Sequence, residues 1–250
     1  MDLELAGKRA LVTGGSRGIG KAIARVLAAE GAQVAIAARD ADRLASASAD
    51  LAAATGQRVV TAQYEAGDDA SARQMVATAA AALGGIDILI NNAAQPGGTA
   101  PPNLAAVTTA DFATDMNVKV MGYLRCVQEA APLMAANGWG RIVNIGGLTA
   151  FRTGNMLSSI RVISVASLTK NLADELGPSG ITVNLVHPGT TRTERTTPEQ
   201  EARAAENLIG RMVDAEEIAW LVAFLCSPKG SGITGESIGC GGGIRGAIRY

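Results

Sequence analysis

The stretch Thr13-Gly14-Gly15-Ser16-Arg17-Gly18-Ile19-Gly20 holds four glycines in eight residues, which strips side chains from one length of backbone. A backbone so bared can approach a pyrophosphate closely. A helix starting there sets the partial positive charge of its N-terminus behind the phosphates. The plainer reading is a tight turn between a strand and a helix. Two arginines extend the first reading: Arg17 lies inside the turn, and Arg39 follows Ala38 at the end of the next apolar run, QVAIAA. An acid at that strand end would bind an adenosine ribose diol and favour NAD. Guanidinium groups suit a 2′-phosphate instead and favour NADP, through charge-assisted hydrogen bonds. Arg39 also reads as a solvated loop charge, and the backbone position of Asp40 should point it elsewhere.

Other reactive side chains are sparse. His187 is the single histidine, and Cys126, Cys226 and Cys240 are widely spaced. That set makes no zinc-ligand pattern, so no metal is expected and the thiols read as buried and reduced. His187 precedes Pro188-Gly189 and is the side chain here that ordinarily titrates near neutrality. It serves either as a proton donor or as a structural residue. Asn117 either takes part in chemistry or bridges helices through its amide. Arg161 faces a substrate anion or, more simply, the surface. Thr149, Ser158 and Ser159 have no evident base, so none has the context of an activated nucleophile.

Positioning these residues takes a parallel sheet. Short apolar runs alternate with helical stretches, which implies an α/β fold with helices on both faces. Lys8 to Thr13 reads as a strand, the glycine turn follows, and a helix runs from Ile19 to Glu30 until Gly31 stops it. Gln33 to Ala38 is the second strand, Asp40 to Thr55 a helix, Arg58 to Gln63 the third strand and Ser71 to Leu83 the next helix. Ile86 to Asn91 is nearly all apolar, as a strand buried on both faces requires. After a Pro/Gly loop from Pro96 to Asn103, two long helices are expected at Ala110 to Asn137 and Ser158 to Leu176. The strand Arg141 to Ile145 separates them. Ile181 to Val186 is another strand, and a helix at Glu216 to Phe224 and a strand at Ser237 to Cys240 close the chain. Thr190 to Asn207 is polar and charged, and reads as a substrate lid. With no repeat or linker in evidence, residues 1–250 read as one Rossmann-type doubly wound domain.

A net charge of -1 gives no reason to expect a nucleic-acid partner or an anionic membrane surface. Met1-Asp-Leu-Glu carries no basic leader, and no long apolar run follows, so neither a signal peptide nor a membrane span is expected. With reduced thiols, the expected location is the cytoplasm.

The turn is not the common GxGxxG. TGGSRGIG resembles the TGxxxGIG turn of the short-chain dehydrogenase/reductase family, and the resemblance runs the length of the chain. Asn91-Asn92-Ala93-Ala94 is similar to that family's NNAG segment, and Asn117 in MNVK matches its active-site Asn. Asn184-Leu-Val-His-Pro-Gly189 resembles its N-x-V-x-P-G turn, and Ile233-Thr-Gly-Glu with the following glycines resembles its ITG…GG ending. The overall motifs are nearest a 3-oxoacyl-acyl-carrier-protein-reductase-like subgroup. The resemblance implies a sheet of about seven parallel strands and a homodimer or homotetramer. It implies cofactor contacts from Gly14, Ser16, Arg17, Gly18, Ile19 and Gly20 in the turn, and from Arg39 beyond it. Asn92, Ala93, Pro188, Gly189, Thr191 and Thr193 would add contacts. Glu65 and Ala66 stand where the family usually has Asp and an aliphatic residue around the adenine, which should perturb that contact.

In this family a Tyr gives or takes the alcohol proton, and a Lys one helical turn on lowers its pKa and holds the nicotinamide ribose. A Ser upstream binds the substrate oxygen. Anchoring on GRIVNI and LTKNLADELGPSGITVN sets Gly147 at the Ser position, Ser158 at the Tyr position and Val162 at the Lys position. No Tyr or Lys lies between Gly147 and Ser167, and the shortened GGLTAFRTGNMLS loop implies local rebuilding. The expected activity is therefore NADP(H)-dependent oxidoreduction of a small carbonyl, alcohol or related substrate, with a non-standard proton donor such as His187, water or the substrate itself. Candidate catalytic residues are Asn117, Ser158, Arg161 and His187. The alternatives are an NADP-binding pseudoenzyme or sensor, and a lyase or isomerase in which Arg161 binds an acidic substrate.

Overall fold

A computed structural model describes residues 2–94, 98, 101, 103–203 and 207–244. Seven parallel strands form one sheet. The first half of the chain supplies β1 (Arg9–Thr13), β2 (Gln33–Ala38), β3 (Val59–Gln63) and β4 (Ile88–Asn91), alternating with α1 (Gly18–Ala29), α2 (Ala41–Thr55) and α3 (Asp69–Leu83). The second half supplies α4 (Thr109–Asp115), α5 (Gly122–Ala135), β5 (Gly140–Ile145), α6 (Met156–Leu176) and β6 (Ile181–Pro188). It ends with β7 (Thr191–Arg192), α7 (Pro198–Arg203), β8 (Val213–Asp214), α8 (Ala215–Cys226) and β9 (Ser237–Cys240). The sheet order is β3-β2-β1-β4-β5-β6-β9, and β7 and β8 make a separate short pair. The doubly wound α/β expectation is met. No described helix is long and apolar enough to cross a membrane.

Strand alternation divides the core. Ala10 and Val12 of β1 pack with Ile23 and Leu27 of α1 and with Ile218 and Val222 of α8. Leu11 turns to the other face, among Met75 and Ala79 of α3 and Val127 and Met134 of α5. Successive strands first step to one side of β1 and then, from β4, to the other. The carboxyl ends of β1 and β4 therefore part at a topological switch point, where a doubly wound sheet opens a crevice.

Capping moves several expected boundaries. Asp68 accepts a hydrogen bond from Ser71 N (2.7 Å), so α3 starts at Asp69 rather than Ser71. Asn155 does the same for Ser158 N (2.9 Å), which starts α6 at Met156. The single helix expected from Ala110 to Asn137 is broken by a π-helical segment, Met116–Met121, between α4 and α5. A π segment widens the helix and turns side chains that strict α periodicity would place elsewhere. Most of the Pro96 to Asn103 loop, and residues 204–206 of the expected lid, lie outside the described residues. The rest of that lid carries β7 and α7.

Candidate active site

A cavity of about 580 Å³ opens in the crevice, lined by residues that follow β1, β4, β5 and β6 and by α6 and the 191–200 segment. Glycine makes its floor possible. A Cβ on Gly20 would stand 2.3 Å from the Gly14 carbonyl oxygen, and one on Gly14 would stand 2.8 Å from Asn92 Nδ2. Asn92 donates to the carbonyls of Thr13 (3.1 Å) and Gly14 (3.2 Å), and Thr13 Oγ1 accepts from the backbone N–H groups of Asn92 (3.0 Å) and Ala93 (3.1 Å). These bonds lock the glycine turn to the end of β4. At the N-terminus of α1 the Gly18 N–H donates to the Glu194 carboxylate, at 3.1 and 3.2 Å from its two oxygens. An anion held by that amide is what a phosphate-binding turn requires.

Gly14, Arg17, Gly18, Ile19, Asn92, Pro188, Gly189, Thr191 and Thr193 all line the cavity. Of the other expected cofactor contacts, Ser16 is buried and Gly20 packs under the turn. Glu65 reaches Arg39 at 3.9 Å, with Arg39 exposed, and Ala66 packs against Gly122. Burial and the nearby Arg195 push the Arg17 guanidinium down, with Arg43 and Arg39 adding to the effect. This end of the cleft thus gathers arginines from the turn, the end of β2, α2 and the segment between β7 and α7.

The opposite end lies over β5 and α6. Ser158 and Val162 are buried and line the cavity with Gly146, Gly147 and Thr149. Ser158 Oγ is 3.1 Å from Thr149 Oγ1 and accepts from Arg161 Nη2 at 3.3 Å. Arg161 departs from its simpler surface expectation. It is 6% exposed, lines the cavity and pairs with Asp115 at 3.5 Å. Three residues after Ser158, it turns toward the π-helical segment rather than toward solvent. A Cβ on Gly98 would meet Arg161 Nη1 at 2.2 Å, so that backbone closes over the pair. Asn117 is elsewhere: its amide donates to the Gly67 carbonyl (3.2 Å) and accepts from Arg125 Nη2 (2.7 Å). His187 is fully buried behind Gly146, with Nδ1 2.9 Å from the Gly147 carbonyl oxygen and its ring edge-on to Phe151. Neither Asn117 nor His187 is among the described lining residues.

Lys119, two residues after Asn117 in the MNVK segment, is given no role by the sequence, yet it reaches the site. It is 4% exposed, lines the cavity, and donates from Nζ to the Ile145 carbonyl at 2.6 Å. Tyr123 Oη donates to the same carbonyl at 2.9 Å, and its ring lies 5.0 Å from the ammonium. Burial, with Arg161 nearby, lowers the Lys119 pKa to about 7. Tyr64 and Tyr123 are buried away from the lining, with phenols pushed up by burial, and Tyr250 is outside the described residues. The described lining holds five cations, Arg17, Lys119, Arg152, Arg161 and Arg195, and no carboxylate. Such a cavity favours an anionic occupant. Among the described residues no cluster of His, Cys, Asp and Glu could hold a metal.

Residues 14–245 match the enoyl-(acyl carrier protein) reductase family. The chain is 33% identical over 250 residues to a 3-oxoacyl-acyl-carrier-protein reductase of Aquifex aeolicus, covering 98% of this chain and all of that protein. Among solved structures, a short-chain dehydrogenase from Burkholderia cenocepacia in complex with NADP shares 39% identity at a TM-score of 0.86, covering 96% of this chain and 98% of that one. L-sorbose reductase from Gluconobacter frateurii, complexed with NADPH and L-sorbose, shares 27% identity at a TM-score of 0.90, covering 99% and 100%.

Proposed function

The chain belongs to the short-chain dehydrogenase/reductase family, and from that premise we propose an NADP(H)-dependent oxidoreductase that acts on a small carbonyl, alcohol or related substrate without the family's Ser, Tyr and Lys. The observation that carries this reading is the continuity of one crevice. A glycine cradle with an anion-holding amide at one end runs into a buried, cationic pocket at the other. Gly14, Arg17, Gly18 and Ile19 would hold the pyrophosphate, and Pro188, Gly189, Thr191 and Thr193 would flank the nicotinamide side. A reduced nicotinamide bound there supplies the hydride. In this reading Gly147, Ser158 and Val162 occupy the family's Ser, Tyr and Lys positions, so the proton must come from another group of the chain. Spectroscopic NADPH consumption against a panel of carbonyls, imines and enones tests the reading. Tight NADPH binding with no consumption would favour a cofactor-binding protein without redox chemistry, a second reading that the apolar Val162 supports.

NADP should bind more tightly than NAD. Arg17 and Arg39 face the adenosine end, where a 2′-phosphate can take their charge-assisted hydrogen bonds. Losing one such bond weakens binding about tenfold or more. Titration of Arg39→Ala with both nucleotides should show NADP affinity falling by that factor and NAD affinity little changed. Equal affinities in the wild type would refute the assignment.

The same reading includes a homo-oligomer. On α6, Met156, Ile160 and Ile163 form one face at helical spacing and are 53%, 39% and 54% exposed. Met121 and Phe112 add exposed apolar area on the π segment and α4. An apolar stripe of this length on a helix already packed on the sheet implies a partner surface. Light scattering at micromolar concentration should report a multiple of the 25.4 kDa chain, and a monomer mass alone would overturn it.

A further inference from the structure

Lys119 is a cation with no function in the fold that its surroundings explain. It is 4% exposed, and among the described residues no carboxylate pairs with it; its ammonium donates instead to the Ile145 carbonyl. Burial of an ammonium with no carboxylate beside it disfavours the charged form and eases loss of its proton. Yet it lines the cavity beside Gly146, Ser158, Arg161 and Val162. Where Val162 leaves its own position on α6 without a proton to give, Lys119 brings an ammonium from the π-helical segment.

We propose that Lys119 is the proton donor of this site, its ammonium protonating the alkoxide oxygen that forms on reduction of the substrate carbonyl, an assignment that rests on the oxidoreductase reading above. One Nζ–H bond breaks as an O–H bond forms, using an electron pair of the alkoxide oxygen. The lysine is left as a neutral amine and regains a proton from solvent at the cavity mouth. The hydride and its electron pair, which reduce the carbonyl carbon, come from the reduced nicotinamide. Arg161, with its Nε lacking a hydrogen-bond partner among the described residues, faces the same space. It offers a fixed donor to an anionic or strongly polar group of the substrate, which sets the carbonyl toward Lys119.

Titratable groups face Lys119 from several elements. Tyr123 lies beneath it on α5, Arg161 approaches from α6 and is itself paired with Asp115 of α4, and His187 of β6 sits behind Gly146. Burial and the Arg161 charge bring the ammonium down to about 7, where a general acid works best near neutral pH. The acid must be protonated to act, so carbonyl reduction should fall as pH rises through about 7.

The test uses Lys119→Met, which removes the proton, and Lys119→Arg, which keeps a charge that cannot be lost near neutrality. NADPH affinity in both should stay close to wild type, which also reports that they fold. With any carbonyl the wild type reduces, kcat should drop roughly 10²- to 10⁴-fold in Lys119→Met, and the limb near pH 7 should vanish in both variants. Full activity in Lys119→Met, or an unmoved limb, overturns the assignment while leaving the oxidoreductase reading standing. Wild type that consumes no NADPH with the whole panel overturns that reading and the proton transfer with it. Carbon-13 NMR of Lys119 Cε decides the matter independently of rates. A midpoint near 7 supports the assignment, and one near the ordinary lysine value of about 10 overturns it.

Discussion

Simple ketones and secondary alcohols should be turned over roughly 10²- to 10⁴-fold more slowly than by family members that keep Tyr and Lys, despite firm NADPH binding. Hydride can reach a carbonyl only if the developing alkoxide is neutralised in time. General acid help of this kind is typically worth roughly 3–5 kcal/mol of barrier. The Ser158 hydroxyl, bonded to Thr149 and Arg161, is a far weaker acid than a phenol beside an ammonium. At the Lys position that the proposed reading gives it, Val162 would bring no charge and would not hold the nicotinamide ribose, which would leave the reactive ring less well positioned. Lys119 lies deeper, on the Ile145 carbonyl, and a small ketone has no group for Arg161 to bind and so no means of being drawn there. A substrate with an anionic arm should be reduced faster, and Arg161→Ala should then raise its KM more than it lowers kcat. Steady-state rates on unsubstituted and carboxylate-bearing ketones check both statements. Ordinary enzyme rates on simple ketones would show that Gly147, Ser158 and Val162 do not stand where the family keeps its Ser, Tyr and Lys.

The legible parts of this molecule are those written in local sequence. The run Lys8 to Thr13, the glycine turn and the helix after it declare themselves because period, glycine spacing and order agree over one short stretch. Arg17 and Arg39 can be proposed as phosphate ligands because both sit next to that turn or to the strand end beside it, although of the two only Arg17 lines the described cavity. Lys119 cannot be picked out in this way, for two reasons. MNVKVM looks like the middle of an uninterrupted helix, and the π segment that turns Lys119 inward has no residue signature of its own. Its burial also depends on α6 and β5, which lie far along the chain. Arg161 is hidden in a related way: its distance from Ser158 in sequence is clear, but Asp115 and Gly98, which enclose it, come from elsewhere. His187 shows the reverse error of emphasis. Its titration range draws attention, while the neighbouring backbone of Gly146 and Gly147 keeps it behind the cavity floor.

Gly20→Ala should cost both fold stability and nearly all cofactor affinity. The added methyl would meet the Gly14 carbonyl oxygen at 2.3 Å, Asn92 Nδ2 at 2.5 Å and the Gly14 carbonyl carbon at 2.9 Å. Two of those atoms are backbone, and the third is held by bonds to Thr13 and Gly14, so no flexible side chain can yield. The first turn of α1 must therefore lift from the glycine turn, against the packing of Ile23 and Leu27 in the core. Overpacking of this kind costs about 1–3 kcal/mol, or about 2–4 °C of melting temperature per kcal/mol for a chain this long. Binding suffers more, because the amides that would meet the pyrophosphate ride on the part that moves. Losing two charge-assisted hydrogen bonds amounts to roughly 3 kcal/mol or more, which is about 100-fold in affinity. Gly232→Ala makes the control, since a Cβ there meets nothing within 4 Å and its φ is not positive. That change should leave NADPH binding untouched and stability equal or raised by about 0.4–1 kcal/mol. Thermal melts and NADPH titrations of the two variants together make the comparison. If Gly20→Ala binds NADPH as the wild type does, the turn does not cradle the pyrophosphate.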